Sequence, residues 1–129
     1  PPPADQDGIA TLRADARTGD PVAEFQLGWM LVHLETPSPA DWRAAATLFD
    51  AAANKGHAAA MANLGLLYMQ GRGLPQDYVL AQMWLALAGS GGLKAALPLS
   101  AALQARMTPG QINESQALAE TLWRGETQP

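Results

Sequence analysis

The chain has 129 residues, 48% of them hydrophobic, which suits a single core and asks for no second domain. A formal net charge of -4, with eight basic residues scattered from Arg13 to Arg124, provides no positive field for nucleic acid or for an anionic membrane surface. With no cysteine, disulfides, thiol nucleophiles and cysteine zinc sites are excluded, and no apolar run approaches the roughly 20 residues a membrane-spanning helix needs.

Alanine runs broken by glycine and proline, with few β-branched residues and no sustained apolar–polar alternation, predict an all-α chain. The opening Pro1-Pro2-Pro3 reads as a solvated polyproline lead. No methionine begins the chain, so its first residues are expected to have been removed, by a signal peptidase or in preparing the protein; this leans to an exported protein, periplasmic or secreted, with the cytoplasm as the alternative. A first helix is expected from about Asp5 to Thr18, ending at Gly19. Asp20 then caps a second, with Pro21 at its first position, that reaches His33. Ser38-Pro39-Ala40-Asp41 repeats the arrangement and opens a third helix that closes at Gly56. A fourth runs from His57 to Gln70, and after the turn Gly71-Arg72-Gly73-Leu74-Pro75 a fifth covers Gln76 to Gly89. The sixth spans Leu93 to Arg106. Thr108-Pro109-Gly110-Gln111 fits a capping box, so a seventh continues to about Arg124, with a loose tail from Gly125 to Pro129. Short connections predict that all consecutive helices are antiparallel neighbours.

The helix pairs repeat. A shift of 36 superimposes Gly56 on Gly92, Asp41 on Asp77, Trp42 on Tyr78, Ala45 on Ala81 and Ala52 on Ala88. A shift of 37 carries Gly19 onto Gly56, Ala23 onto Ala60, Leu27 onto Leu64 and Gly28 onto Gly65, the extra residue falling in the loop 34–40. Two helices per unit at this period imply an α-α superhelix, or α-solenoid, in which each pair hides its apolar face only against its neighbours. Gly28 and Gly65 are expected to let the two helices of a unit approach closely, while Trp84, Leu85, Leu48 and Phe49 fill the space between small alanines.

The stretch Ala60 to Gly92 carries Leu64-Gly65, Tyr68, Gly71-Arg72-Gly73, Asp77-Tyr78, Ala81, Trp84 and Ala88, and in these residues it closely resembles the Sel-one-like repeat, a relative of the tetratricopeptide repeat. Gly19 to Gly56 resembles a second, degenerate copy, with Leu31 for the tyrosine, Leu34-Glu35-Thr36 for the glycine turn and Trp42 for Tyr78. The pattern fades past Gly92, where Ala101 and Gln104 fall at the glycine and tyrosine places. One domain over 1–129 is therefore read as repeats 20–56 and 57–92 between capping helices 5–18 and 93–124. The resemblance implies an adaptor or scaffold in multi-protein assemblies, in bacteria often exported or linked to envelope processes. Some cysteine-rich relatives are linked to penicillin binding or hydrolysis, a branch from which this cysteine-free chain departs.

No residue set points to catalysis. Gly71-Arg72-Gly73 lacks the third glycine and the preceding strand of a phosphate loop, and Ser90 lacks a nucleophile elbow. His33 and His57 have no second ligand at helical spacing, so neither a metal nor a cofactor is expected. Asp41 and Asp77 recur at helix starts, where a carboxylate suits the dipole. Trp42 and Trp84 are assigned to the stacked core and Trp123 to packing of the last helix. Trp29 stands apart, sharing one helix face with Val22, Gln26 and His33. The same face of the next unit carries Ala59, Asn63, Leu66 and Gln70, and that of the last Ala95, Leu99, Ala102 and Arg106.

In tetratricopeptide-type arrays the first helix of each pair lines the concave surface, so the resemblance implies that these rows form one groove for a peptide or protein segment, with Trp29 as its anchor. Two alternatives stand beside it: an assembly module that docks through its outer face or end helices, and an envelope-acting enzyme. The partner is expected to be a protein or peptide, without nucleic acid or membrane insertion, and the chain a monomer or weak dimer.

Overall fold

The computed structural model describes residues 6–127 and the side chains of 7–122. The polyproline lead, the start of the first helix at Asp5, the last two residues and the packing of Trp123 lie outside that range. Seven α-helices follow one another without a strand among the described residues: α1 (Gln6–Arg17), α2 (Pro21–Val32), α3 (Pro39–Ala53), α4 (Ala58–Gln70), α5 (Tyr78–Ser90), α6 (Ala96–Gln104) and α7 (Pro109–Thr127). The architecture is the expected all-α repeat array, in which α2 packs on α3, α3 on α4, α4 on α5 and α5 on α6.

Local chemistry sets most helix ends. Asp20 accepts from the Val22 amide at 3.0 Å, and Asp77 accepts from the Leu80 amide at 3.0 Å. Ser38 and Asp41 form a reciprocal capping box, as do Thr108 and Gln111. The α5 start falls at Tyr78 instead of Gln76 because Gln76 belongs to the preceding turn, where its Nε2 donates to the Met69 carbonyl at 2.9 Å. For α6 the difference is larger: Leu93 to Ala95 form tight turns, with Ala96 and Leu97 donating three residues back. Pro98 has no N–H to give the Lys94 carbonyl, so regular α-helix begins only at Ala96. The helix also stops at Gln104, short of Arg106, through three-residue turns from Arg106 and Met107 to Leu103 and Gln104. α7, by contrast, runs past Gly125 to Thr127, since one interior glycine costs a helix only about 1 kcal/mol.

The pairing of helices within a unit rests on the two repeat glycines. A Cβ at Gly28 would sit 2.7 Å from Phe49 Cε1 on α3, and one at Gly65 would sit 3.0 Å from both Leu85 Cγ and the Ala81 carbonyl on α5. Phe49 and Leu85 are equivalent positions of the two units, so the same close approach is built twice. Around them Ala45, Ala52, Ala81 and Ala88 are fully buried, and Trp84 lies in the same core. Trp42 is only half-buried, and the Arg72 guanidinium lies 4.7 Å from its ring centre. Arg106 stands in the same relation to Tyr78, at 5.2 Å.

Where α2 meets the turn that leads from α3 into α4, Glu24 and His57 carry the polar work. The buried Glu24 carboxylate pairs with Lys55 Nζ at 2.7 Å. Removing the cation strands a buried charge, so Lys55→Ala is expected to cost roughly 1–2 kcal/mol, while Glu24→Met with Lys55→Ala, which copies Met61 of the next unit, stays near wild-type stability in urea melts. His57 caps α4: its Nδ1 accepts from the Ala60 amide at 3.1 Å while the ring stacks on Phe25 at 4.8 Å. Only the neutral ring can accept there, and burial holds its pKa below the ordinary value of 6.5, outweighing a hydrogen bond to its own backbone that raises it. The folded state thus binds that proton less readily than the unfolded chain. Its contribution is complete above the ordinary histidine range and is lost as pH falls through and below it. His57→Asn, which still caps, is expected to melt with a weaker dependence on pH between 7 and 5 than wild type.

One expected neighbour relation fails. α7 takes α5 as its main helix partner, not α6, with Ile112, Ala119 and Leu122 against the core. The reason is in its register: Thr121 occupies the place of Leu85 and is exposed, so α7 lacks the large apolar side chain that a second helix inserts.

Candidate functional site

On α2, Trp29 is 37% exposed and Val22 50% exposed, with His33 exposed and Gln26 half-buried on the same face. The Trp29 and His33 rings stack at 3.8 Å with an interplanar angle of 18°. His33 Nδ1 lies 2.8 Å from the Trp29 carbonyl, to which it can only donate, leaving Nε2 as the acceptor nitrogen of the neutral ring. This one-turn spacing presents an indole already held by its neighbour. A flat, pre-ordered aromatic of this kind loses little rotamer freedom when a partner covers it.

The second row is flatter. Ala59, Asn63 and Leu66 are half-buried and Gln70 is exposed, and Asn63 Nδ2 donates to the Ala59 carbonyl at 2.8 Å. The third row lies on α6, where Ala95, Leu99 and Ala102 are exposed and Leu99 reaches 38%. Arg106, although exposed, has its guanidinium over Tyr78 on α5, so it is held by the second helix of the preceding unit. α2 meets the turn that leads into α4, through Phe25 on His57 and Glu24 on Lys55, while the main packing partner of α2 is α3 and that of α4 is α5. Each row is thus a continuous helix face.

Two open depressions lie elsewhere. A depression of about 380 Å³ is lined by Arg43, Thr47 and Asp50 of α3, Tyr68 of α4 and the turn Gly73-Leu74. A second, of about 390 Å³, adjoins it across Arg43 and is bounded by Trp42, Arg72 and Pro75. Burial, with Asp50 and Asp77 adding to it, raises the Tyr68 pKa above its ordinary 10.0, so the phenol keeps its proton and can donate. Sequence reasoning missed this cluster because Asp50, Tyr68 and Asp77 belong to three different elements. By sequence Tyr68 is a repeat position only, and no spacing rule joins it to Asp50. No group of three His, Cys, Asp or Glu is placed to hold a metal among the described residues, and none of their helices is long and apolar enough to cross a membrane.

The Sel1 repeat profile matches residues 21–57 and 58–93, more than half of the chain. The chain belongs to the Sel1 repeat family. Sel1 repeats are typical of protein–protein interaction modules and are generally non-catalytic scaffolds. Among solved structures this Sel1 chain is similar to c5321, a protective antigen present in uropathogenic Escherichia coli strains displaying an SLR fold, with 26% identity and a TM-score of 0.81 over 89% of the chain. It spans 25% of that protein's length. No curated protein matches the chain.

Proposed function

We propose that this Sel1 repeat chain is a non-catalytic adaptor that holds a peptide or protein segment against the exposed face of its first helices, anchored by Trp29. The observation that carries the reading is the pre-stacked, 37% exposed indole on a surface row that also includes a half-exposed valine. Large apolar side chains left open in this way mark contact surfaces, and tryptophan is the side chain most often found at energetic hot spots. Asn63 and Gln70 supply amides for an extended backbone, and Leu66 and Leu99 continue the apolar strip. The reading asks for a protein or peptide partner, no cofactor, a monomer or weak dimer, and an exported setting.

A second reading has its own residues. The depression between α3 and α4, with Arg43, Asp50 and the Tyr68 hydroxyl, offers a polar site for docking through the opposite side of the array. A pull-down from the native organism's extract separates the two. The groove reading expects a partner retained by wild type and by Arg43→Ala/Tyr68→Phe but lost by Trp29→Ala/Asn63→Ala, all equally helical. The reverse pattern would move the function to the α3 side.

A further inference from the structure

In both complete units the first helix buries one particular face against its own second helix. On α2 that face carries Glu24 and Gly28, covered by Lys55 and Phe49. On α4 it carries Met61 and Gly65, both buried, the glycine against Ala81 and Leu85. Thirty-six residues on, the same face of α6 carries Leu97 and Ala101. Leu97 is 54% exposed where Met61 is 5% exposed, and Ala101 is exposed too. The face that points into the array is unchanged: Ala60, Leu64 and Leu67 are buried on α4, and so are Ala96, Ser100 and Leu103 on α6. Ser100 is tied to α5 by Gln82 Nε2 at 2.6 Å. α6 is therefore seated as a first helix but stands without its second helix, because α7 has gone to α5.

We infer that α6 is an unfilled half-unit whose Leu97–Ala101 face takes an amphipathic helix from a partner protein, in the manner in which α2 takes α3 and α4 takes α5. The occupant's chemistry is given by those two pairs: a helix with small residues flanking one large apolar side chain, as in Ala45-x3-Phe49-x2-Ala52 and Ala81-x3-Leu85-x2-Ala88. Ala101 in place of glycine keeps the position small enough for such an approach. No charged residue lies between Lys94 and Arg106, as an interface core requires. Self-pairing of α6 is disfavoured by pattern, since Leu93 stands where the occupant asks for a small residue four before its large one, and by size, since a nine-residue helix about 14 Å long falls short of the roughly 800 Å² per partner of a stable dimer, an area that a transient partner helix does not need. This surface goes beyond the Trp29 groove, because the Ala95, Leu99 and Ala102 row lies about half a turn of helix away from Leu97 and Ala101.

The chain supplies its own probe. A fluorescein-labelled peptide of the Asp41–Gly56 sequence is titrated with wild type, Ala101→Glu, Leu97→Glu and Trp29→Ala, each checked for unchanged helicity. Saturable binding to wild type and Trp29→Ala, weakened at least tenfold in either α6 variant, is the expected result, and it is independent of whether the groove is used. Absence of saturable binding, or binding indifferent to both α6 variants, would overturn the inference. A concentration-dependent dimer that Ala101→Glu abolishes would also overturn it, by giving the face to a second copy.

Discussion

Gly73→Ala is expected to destabilise the protein by about 3 kcal/mol and to lower its melting temperature by about 10 °C. Two effects add at this position. Its φ of +75° is a left-handed conformation that costs a residue with a side chain roughly 1–2 kcal/mol. A Cβ there would also lie 2.3 Å from the Trp42 carbonyl oxygen and 2.6 Å from its carbon, backbone atoms of the first turns of α3 that cannot swing aside. The Gly71-Arg72-Gly73 turn is thus pressed onto the preceding unit, with the Arg72 guanidinium over the Trp42 ring fixing the same joint. Gly56 is the internal control, since its φ is +90° but no atom lies within 4 Å of a Cβ placed on it. Gly56→Ala should cost only the conformational part, about 1 kcal/mol. Equal losses in urea melts of the two variants would show that the close approach at Gly73 has no energetic weight.

The second large effect concerns binding. Trp29→Ala is expected to weaken the partner complex about 30- to 100-fold, the scale of a hot-spot residue worth 2–3 kcal/mol, while costing about 1–2 kcal/mol of stability. The two losses are separable by position: the exposed part of the ring is what a partner covers, and the remainder packs within the free protein. His33→Ala should have a smaller effect in the same direction, because it removes the ring against which the indole is stacked, not the anchor. Isothermal titration with the captured partner reads both. A Trp29→Ala variant that binds as wild type would remove the anchor from the account.

Much of the fold was legible because its signals are local. The caps at Asp20, Ser38 and Thr108 are each set within three residues, and the repeat marks Gly28 and Gly65 as contact points without their partners. What was not legible depends on residues far apart in the chain. The Glu24–Lys55 pair spans 31 positions and has no counterpart in the next unit, where Met61 and Gly91 stand. Arg106 falls on the first-helix face by spacing, yet Tyr78 holds its guanidinium. The placement of α7 turned on what its register lacks, a large residue at Thr121, and short-loop reasoning does not weigh that. His57 capping α4 was also missed, since imidazole is outside the usual set of capping side chains.

The candidate face was legible as a helical row and no further. Sequence spacing put Val22, Trp29 and His33 together, but the stacking of indole on imidazole emerged only from the structure. The cluster of Arg43, Asp50 and Tyr68 required the fold outright.

Site-specific photo-cross-linking tests the central claim most directly. A benzoylphenylalanine placed at Val22, half-exposed on the face of Trp29, is compared with one at Thr47, an exposed residue of α3 beside the alternative depression. The groove reading predicts that position 22 captures the partner and position 47 does not. Capture from position 47 alone would contradict it and place the docking surface on the other side of the array.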